Sequence, residues 1–156
     1  MARWSKGEET VTQLIENRHL QRVVADSAIV TSLLTSARRH VDSARLTNQG
    51  DPEAAYALAY DAARKSATAL LAHQGLRPTS SGGHIAVVDV IRAQFPGVPG
   101  LKSLDRLRRR RNQVEYPDPT GYAPVTIEEA DEAVQVAVTC VASAERLLEL
   151  NELGVF

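Results

Sequence analysis

The sequence has one cysteine, few aromatic residues and no long apolar run. Cys140 is the only cysteine among 156 residues, which excludes an internal disulfide and a metal site built from several thiolates. No apolar segment approaches the roughly 20 residues that a membrane-spanning helix requires. The first ten residues, MARWSKGEET, lack the apolar core of a secretory signal. These absences favour a cytoplasmic protein without membrane association, in which Cys140 is a core residue.

Net charge is also small, and this at first argues against a nucleic-acid partner. The chain has 18 basic and 19 acidic residues, so its formal charge is −1. The charge is unevenly distributed, however, because segment 101–116 has six basic and two acidic residues. That segment therefore carries four net positive charges, and the rest of the chain carries five negative ones. A cationic patch of this size attracts phosphate groups and can steer RNA or DNA toward the protein.

The abundant residues favour helices. Alanine, leucine, arginine and glutamate are strong helix formers, whereas aromatic residues make up only 4% of the chain. We therefore predict an all-α fold, a single-domain bundle of about five to six helices. Within it, residues 1–25 are expected to form an N-terminal helical extension and residues 26–156 the bundle itself.

Apolar periodicity and capping residues place the individual helices. The spacing of Ser5 and Glu8, and of Thr126 and Glu129, matches the capping box at a helix start. Asp51 followed by proline is a further N-terminal signal. We predict helices over residues 5–25, 26–47, 52–74, 84–95, 101–115 and 127–152.

Segment 101–116, LKSLDRLRRRRNQVEY, carries most of the chemistry. The four consecutive arginines at 108–111 span about 300° of a helix, so they cannot all face solvent. Leu104 and Leu107 predict a buried stripe, and Arg111 falls in line with it. An arginine that lines a cleft needs an anionic partner, either Glu115 one turn later or a bound phosphate. The alternative is that the arginine run is only a solvated helix face.

The end of this segment resembles a known family. The residues RNQVEY at 111–116, followed by a proline-containing loop and a long final helix, look like the signature helix of HEPN domains. The residues GHI at 83–85, which open the preceding helix, are similar to the third helix of that family. The resemblance covers roughly residues 52–152. It implies a helical bundle that commonly forms a homodimer, and often a metal-independent ribonuclease that acts as a toxin or a phage-defence effector.

The resemblance also implies site residues. The usual motif is an arginine followed, after four to six residues, by a histidine. Here the histidine is absent, because Glu115 or Tyr116 occupies its place. The implied catalytic residues are Arg111, Asn112, Glu115 and Tyr116. The implied phosphate-binding residues are Lys102, Arg106, Arg108, Arg109, Arg110 and His84. A further implied partner is an antitoxin or nucleotidyltransferase-type protein, for which Tyr116 would be the modification site.

Cleavage of RNA without a metal needs two kinds of group. One removes the proton of the ribose 2′-hydroxyl, and the other stabilises the negative charge that develops on the phosphate oxygens. Arg111 with a neighbouring arginine suits the second task. Glu115 would need a raised pKa for the first task, which an adjacent arginine opposes. His84 or His73 could supply the base from another helix. No metal-ligand spacing is present, so we predict no metal and no cofactor.

Three functions remain open at this point. The first is the ribonuclease, and the missing histidine motivates the second, a non-catalytic HEPN-like module that binds nucleotide, nucleic acid or a partner protein. The third is a helical interaction subunit in which the arginine run is scaffold charge. The position of Arg111 discriminates between them, since a fully exposed and unpaired Arg111 would favour the third.

Overall fold

The computed structural model describes residues 4–150 and 153–156. The α-helices in these ranges are α1 (Glu8–Glu16), α2 (Ser27–Thr47), α3 (Pro52–His73), α4 (Gly83–Gln94), α5 (Leu104–Glu115) and α6 (Ile127–Glu149). Two short strands, β1 (Leu20–Arg22) and β2 (Leu76–Pro78), form an antiparallel pair in which Gln21 lies opposite Arg77. The predicted all-α bundle is confirmed, with this two-stranded ribbon as an addition.

Helix α3 lies at the centre of the bundle. It packs along α2 on one side and α6 on another, and α5 also lies against it. Its buried positions are mostly alanines, including Ala55, Ala59, Ala63 and Ala67. These small side chains allow the neighbouring helices to approach closely, because the distance between helix axes depends on the side chains at the contact. No helix within the described ranges is long and apolar enough to span a bilayer.

Three of the predicted helix starts have the capping bonds that the sequence indicates. The Asp26 carboxylate accepts a hydrogen bond from the Ala28 N–H at 2.8 Å, and that of Asp51 accepts one from the Ala54 N–H at 3.0 Å. The Thr126 hydroxyl accepts from the Glu129 N–H at 3.1 Å. Each bond satisfies a backbone donor that the first turn of a helix leaves unpaired. The predicted starts of α2, α3 and α6 are therefore confirmed.

The prediction of one helix over residues 5–25 is wrong. Helix α1 ends at Glu16, and Arg18 then takes a positive φ of 62° that reverses the chain. Residues 20–22 continue as β1, because their backbone groups pair with β2 instead of with the preceding turn. The helical pattern of this segment is thus overridden by long-range pairing. Val11, Leu14 and Leu20 are buried, so the described part of the N-terminal segment packs onto the bundle.

The close approach of the Gly100 backbone to α6 positions α5. Gly100 has a φ of 78°, and a Cβ added there would lie 2.6 Å from the backbone nitrogen of Cys140 on α6. A 3₁₀ turn, Leu101–Ser103, follows and leads into α5, in place of one continuous helix from residue 101. Cys140 is buried as expected, and burial raises the pKa of its thiol to about 12. The predicted end of the last helix at residue 152 lies outside the described residues.

Candidate nucleic-acid interface

The four consecutive arginines of α5 lie on different faces of the helix, because each residue turns the direction of its side chain by about 100°. Arg108 and Arg111 lie on the side that faces α3 and the first turn of α4, where they act electrostatically on the same two rings. Arg109 lies on the opposite side, where an open groove is found. Arg110 reaches α6. The predicted patch is therefore divided into parts with different environments.

Arg110 joins α5 to the start of α6. Its Nε donates to Glu129 Oε1 at 2.6 Å, and its Nη2 donates to Glu129 Oε2 at 3.1 Å and to the Ala123 carbonyl at 2.8 Å. The side chain is only 17% exposed. The hydrogen bond from Arg110 holds the pKa of Glu129 below its ordinary value, in spite of partial burial. These contacts occupy Arg110 within the fold, so it is little available to a ligand.

Asp105 gathers three arginines around one carboxylate. Arg108 binds its Oδ1 at 2.9 Å, while Arg109 and Arg92 bind its Oδ2 at 2.8 and 2.9 Å. Burial would raise the pKa of this carboxyl. The hydrogen bond from Arg108 and the charges of Arg108, Arg109 and Arg92 outweigh burial and hold the pKa below its ordinary value. One negative charge thus serves three positive ones, and an excess of positive charge remains.

A tyrosine and a histidine meet where α3 passes the start of α4. The Tyr60 hydroxyl and His84 Nδ1 lie 2.9 Å apart and form a hydrogen bond. Tyr60 is buried, and burial raises its pKa, whereas His84 is open to solvent in the first turn of α4. Partial burial, followed by the charges of Arg64 and Arg111, lowers the pKa of His84 below its ordinary 6.5. The imidazole is therefore mostly neutral at pH 7.

Three arginines surround this pair. The charges of Arg64, Arg108 and Arg111 act on both Tyr60 and His84. Arg64 Nη2 lies 3.4 Å from Asp61, and its buried Nε has no hydrogen-bond partner among the described residues. We call the group of Tyr60, Arg64, His84, Arg108 and Arg111 the His84 site. It brings a neutral imidazole together with guanidinium groups on one surface.

Arg111 is only partly in line with the core, as its side chain is 35% exposed. Its Nη2 lies 3.9 Å from Glu115 Oε2, so the predicted pairing one turn along the helix is present but long. This position at the edge of the buried stripe lets Arg111 reach both the core and solvent. A fully exposed and unpaired Arg111 would favour the interpretation of the arginine run as scaffold charge. Arg111 is neither fully exposed nor unpaired.

The other predicted site residues are dispersed. Asn112 is exposed one turn beyond Arg108. Tyr116 is 77% exposed and lines a hollow with Arg110 and Gln113, away from the face that carries Arg111. His73, the second candidate base, bonds through Nε2 to the Leu153 carbonyl at 3.0 Å and belongs to a different part of the bundle.

Sequence reasoning did not identify Tyr60 and Arg64 as site residues. Both lie on α3, which the sequence predicted only as a helix over residues 52–74. A signal was nevertheless present, since a charged Arg64 in so apolar a helix requires either solvent or a partner. The partner in the structure is Asp61 on the same helix, and what the sequence does not show is that α4 and α5 pack against α3.

A comparison with models of protein families tests the family resemblance that the sequence indicated. The model of the HEPN domain matches residues 30–152, which is more than half of the chain. The chain belongs to the HEPN-domain family. HEPN domains include nucleases and nucleotide-binding proteins, and they often dimerise. Comparisons with curated proteins and with solved structures give no match. The HEPN match begins within α2, earlier than the predicted resemblance over residues 52–152.

The His84 site of this HEPN domain has the two chemical capacities that RNA cleavage without a metal requires. A neutral imidazole can accept a proton, and a lowered pKa keeps it in that form at neutral pH. Guanidinium groups bind phosphate oxygens through charge-assisted hydrogen bonds and stabilise added negative charge. The charge of Arg111 contributes to the lowered pKa of His84, so the imidazole and this guanidinium act on each other electrostatically.

Proposed function

We propose that this HEPN protein is a metal-independent ribonuclease in which Arg111 holds the scissile phosphate, Arg108 adds positive charge beside it, and His84 is the general base. The observation that supports this most strongly is the position of the His84 imidazole. It is hydrogen-bonded to buried Tyr60, it lies within the field of Arg111, and its pKa is lowered. A histidine from α4 thus takes the role for which the motif on α5 has no histidine.

The proposed reaction is an internal transfer within the RNA. His84 Nε2 removes the proton of a ribose 2′-hydroxyl, and that oxygen attacks the adjacent phosphorus. The bond to the 5′-oxygen breaks, and water supplies the proton to this leaving group. The products are a 2′,3′-cyclic phosphate and a 5′-hydroxyl. In the required tautomer Nδ1 carries the proton, and this N–H donates a hydrogen bond to the Tyr60 oxygen. The lone pair of Nε2 is then free to accept the proton of the ribose hydroxyl.

Arg111 stabilises the negative charge that develops on the phosphate oxygens in this reaction. In the free protein Glu115 occupies Arg111 only through a long, exposed ion pair of 3.9 Å. Pairs of this kind contribute about 1 kcal/mol or less, so a phosphate can replace the carboxylate at little cost. Glu115 thus binds Arg111 only until the substrate phosphate takes its place. Asn112, one turn beyond Arg108, is a further hydrogen-bond donor to the phosphate.

The biological role that fits this activity is that of a toxin or phage-defence effector. Membership of the HEPN family supports this part of the proposal. The proposal also includes a homodimer and a protein antitoxin of the nucleotidyltransferase type. Tyr116, exposed at the end of α5, is accessible for modification by such a partner. A cytoplasmic location belongs to the same proposal.

The test is incubation of the purified protein with RNA in excess EDTA, with analysis of the product ends. We expect cleavage that yields 2′,3′-cyclic phosphate ends. Arg111→Ala should reduce the rate by about 10²- to 10³-fold, as the loss of one charge-stabilising donor does in other enzymes. Arg45→Ala removes an exposed arginine on α2 and is the matched control. Absence of cleavage by the wild type, or equal cleavage by Arg111→Ala, would contradict the proposal.

A non-catalytic binding module is the second candidate. The observation that favours it is the position of the motif histidine, which Glu115 and Tyr116 occupy here and where both are exposed to solvent. Such a module would bind RNA or nucleotide with an affinity that falls as salt rises, without turnover. Binding that depends on Arg111 in an assay without cleavage would identify it.

A further inference from the structure

A groove lies on the side of α5 opposite the His84 site. It has a volume of about 450 Å³, opens widely to solvent, and has Arg92, Lys102, Asp105, Arg106, Arg109 and Gln113 in its wall. We call it the α5 groove. Arg92 comes from the last turn of α4, and Lys102 from the turn before α5, so three consecutive elements form its wall. Its lining contains no aromatic residue.

The α5 groove has more positive than negative charge. The side chains of Arg92, Arg106 and Arg109 are between 56% and 68% exposed, so their guanidinium groups are accessible. Lys102 is exposed, and its side-chain ammonium group has no ion-pair or hydrogen-bond partner among the described residues. Arg106 reaches Glu132 only at 3.3 Å and on an exposed surface. The groove thus contains cations that the fold itself does not require.

The groove also shows how it would bind an anion. Arg92 and Arg109 converge on a single oxygen, Oδ2 of Asp105, at 2.9 and 2.8 Å. Guanidinium groups bind phosphate oxygens through the same charge-assisted hydrogen bonds that they make here to a carboxylate oxygen. Because Asp105 also binds Arg108, its one charge cannot balance all three arginines. A second anion beside Asp105 would therefore reduce the repulsion between them.

We propose that the α5 groove binds the backbone of single-stranded RNA beside the scissile bond, so that the substrate is an oligonucleotide and not a mononucleotide. This inference rests on the ribonuclease proposed above. Asp105 connects the two faces, because it binds Arg108 of the His84 site and Arg109 of the groove. An α-helix with its side chains is about 10 Å across, so a ligand that contacts both faces must carry several phosphates in a chain.

The composition of the groove favours RNA backbone over a protein partner. Protein interfaces have an apolar centre with aromatic anchors, whereas this lining is mostly charged. Contacts to the bases of single-stranded RNA use aromatic stacking. A groove without aromatic residues is expected to contact phosphates only and to hold RNA of any sequence.

The experiment compares a long ligand with a short one. The long ligand is a 20-nucleotide RNA with 2′-O-methyl groups, which cannot be cleaved, and the short one is a dinucleoside monophosphate with one phosphate. The Lys102→Ala/Arg106→Ala variant should lower the affinity for the long ligand about tenfold more than that for the short one. The negative slope of log affinity against log salt should become shallower by roughly 1.4. The variant loses two contacts to phosphate, and each contact to a single strand contributes about 0.7 to the slope.

The matched control is Arg45→Ala/Arg146→Ala, which removes two exposed cations from α2 and α6. It should retain wild-type affinity and salt dependence. The proposal is overturned if the groove variant binds the long RNA as the wild type does, or if it loses both ligands equally. Displacement of the RNA by polyglutamate at equal charge would also overturn it, in favour of an acidic protein partner.

Failure of the ribonuclease proposal gives a different result. In that case the wild type does not cleave the dinucleoside or an unmodified 20-nucleotide RNA, yet the groove variant still loses affinity for the long ligand. That outcome supports the α5 groove as an RNA-binding surface of a module without catalytic activity.

Discussion

The Tyr60 hydroxyl lies 2.9 Å from Nδ1 of His84 and joins the buried helix α3 to the exposed first turn of α4. The orientation of His84 is therefore set by the core of the bundle, while Arg111 approaches from α5. Base and cation come from different helices, so their alignment depends on how α5 packs.

Gly100→Ala should displace the start of α5, whereas Gly97→Ala should not. Both glycines have a φ of 78°, but an added Cβ at Gly100 would lie 2.6 Å from the Cys140 nitrogen and one at Gly97 would contact nothing within 4 Å. The positive φ costs an alanine about 1–2 kcal/mol at either position, and overpacking adds about 1–3 kcal/mol at Gly100. Urea denaturation measures the difference. Equal destabilisation by the two variants would show that α6 does not restrict Gly100.

Arg110→Ala should destabilise the fold more than Arg106→Ala does. Arg110 makes three hydrogen bonds to α6 and the preceding loop and is largely buried, so its loss should cost about 2 kcal/mol. Arg106 makes one exposed contact with Glu132, and its loss should cost less than about 1 kcal/mol. The free energy of unfolding of each variant checks this order. The reverse order would contradict the structural role given to Arg110.

The ion pair of Glu129 should make stability depend on pH in the acid range. The hydrogen bond from Arg110 lowers the pKa of Glu129 in the folded protein. As pH falls, Glu129 is therefore protonated at a higher pH in the unfolded chain than in the folded protein. The resulting stability is present above the unfolded pKa of about 4.3 and is lost as pH falls through the folded pKa. Glu129→Gln should therefore flatten the fall in stability between neutral and acid pH. Glu128→Gln, at an exposed position without an ion pair among the described residues, should leave the fall unchanged.

Local signals predicted much of the fold. The caps at Asp26, Asp51 and Thr126 placed three helices, because each cap depends only on neighbouring backbone groups. The region around β1 was not predictable in this way. Residues 20–22 lie in a pattern that suits a helix, and only their pairing with residues 76–78 makes them a strand. That pairing depends on the positions of α2 and α3, which local patterns do not specify.

The candidate site was predictable on α5 and at His84, but not at Tyr60 and Arg64. The arginine run and its relation to the leucine stripe are visible in the sequence, so Arg108 and Arg111 were identified from it. The contact of Tyr60 with His84 joins residues 24 positions apart, and it depends on how α4 is placed on α3. The division of the patch into two faces also depends on packing, because Glu129 and Asp105 determine which arginines are occupied.

The most direct test of the central claim is the pH dependence of dinucleoside cleavage in EDTA, measured under single-turnover conditions. We expect the wild-type rate to rise with pH to a plateau, with an apparent pKa below the ordinary 6.5 of histidine. His84→Gln should reduce the rate by about 10²- to 10⁴-fold and abolish that acid limb, while His73→Gln, bonded elsewhere to Leu153 in the wild type, should retain it. Cleavage by His84→Gln at the wild-type rate with the same pH profile would contradict the assignment of His84 as the base.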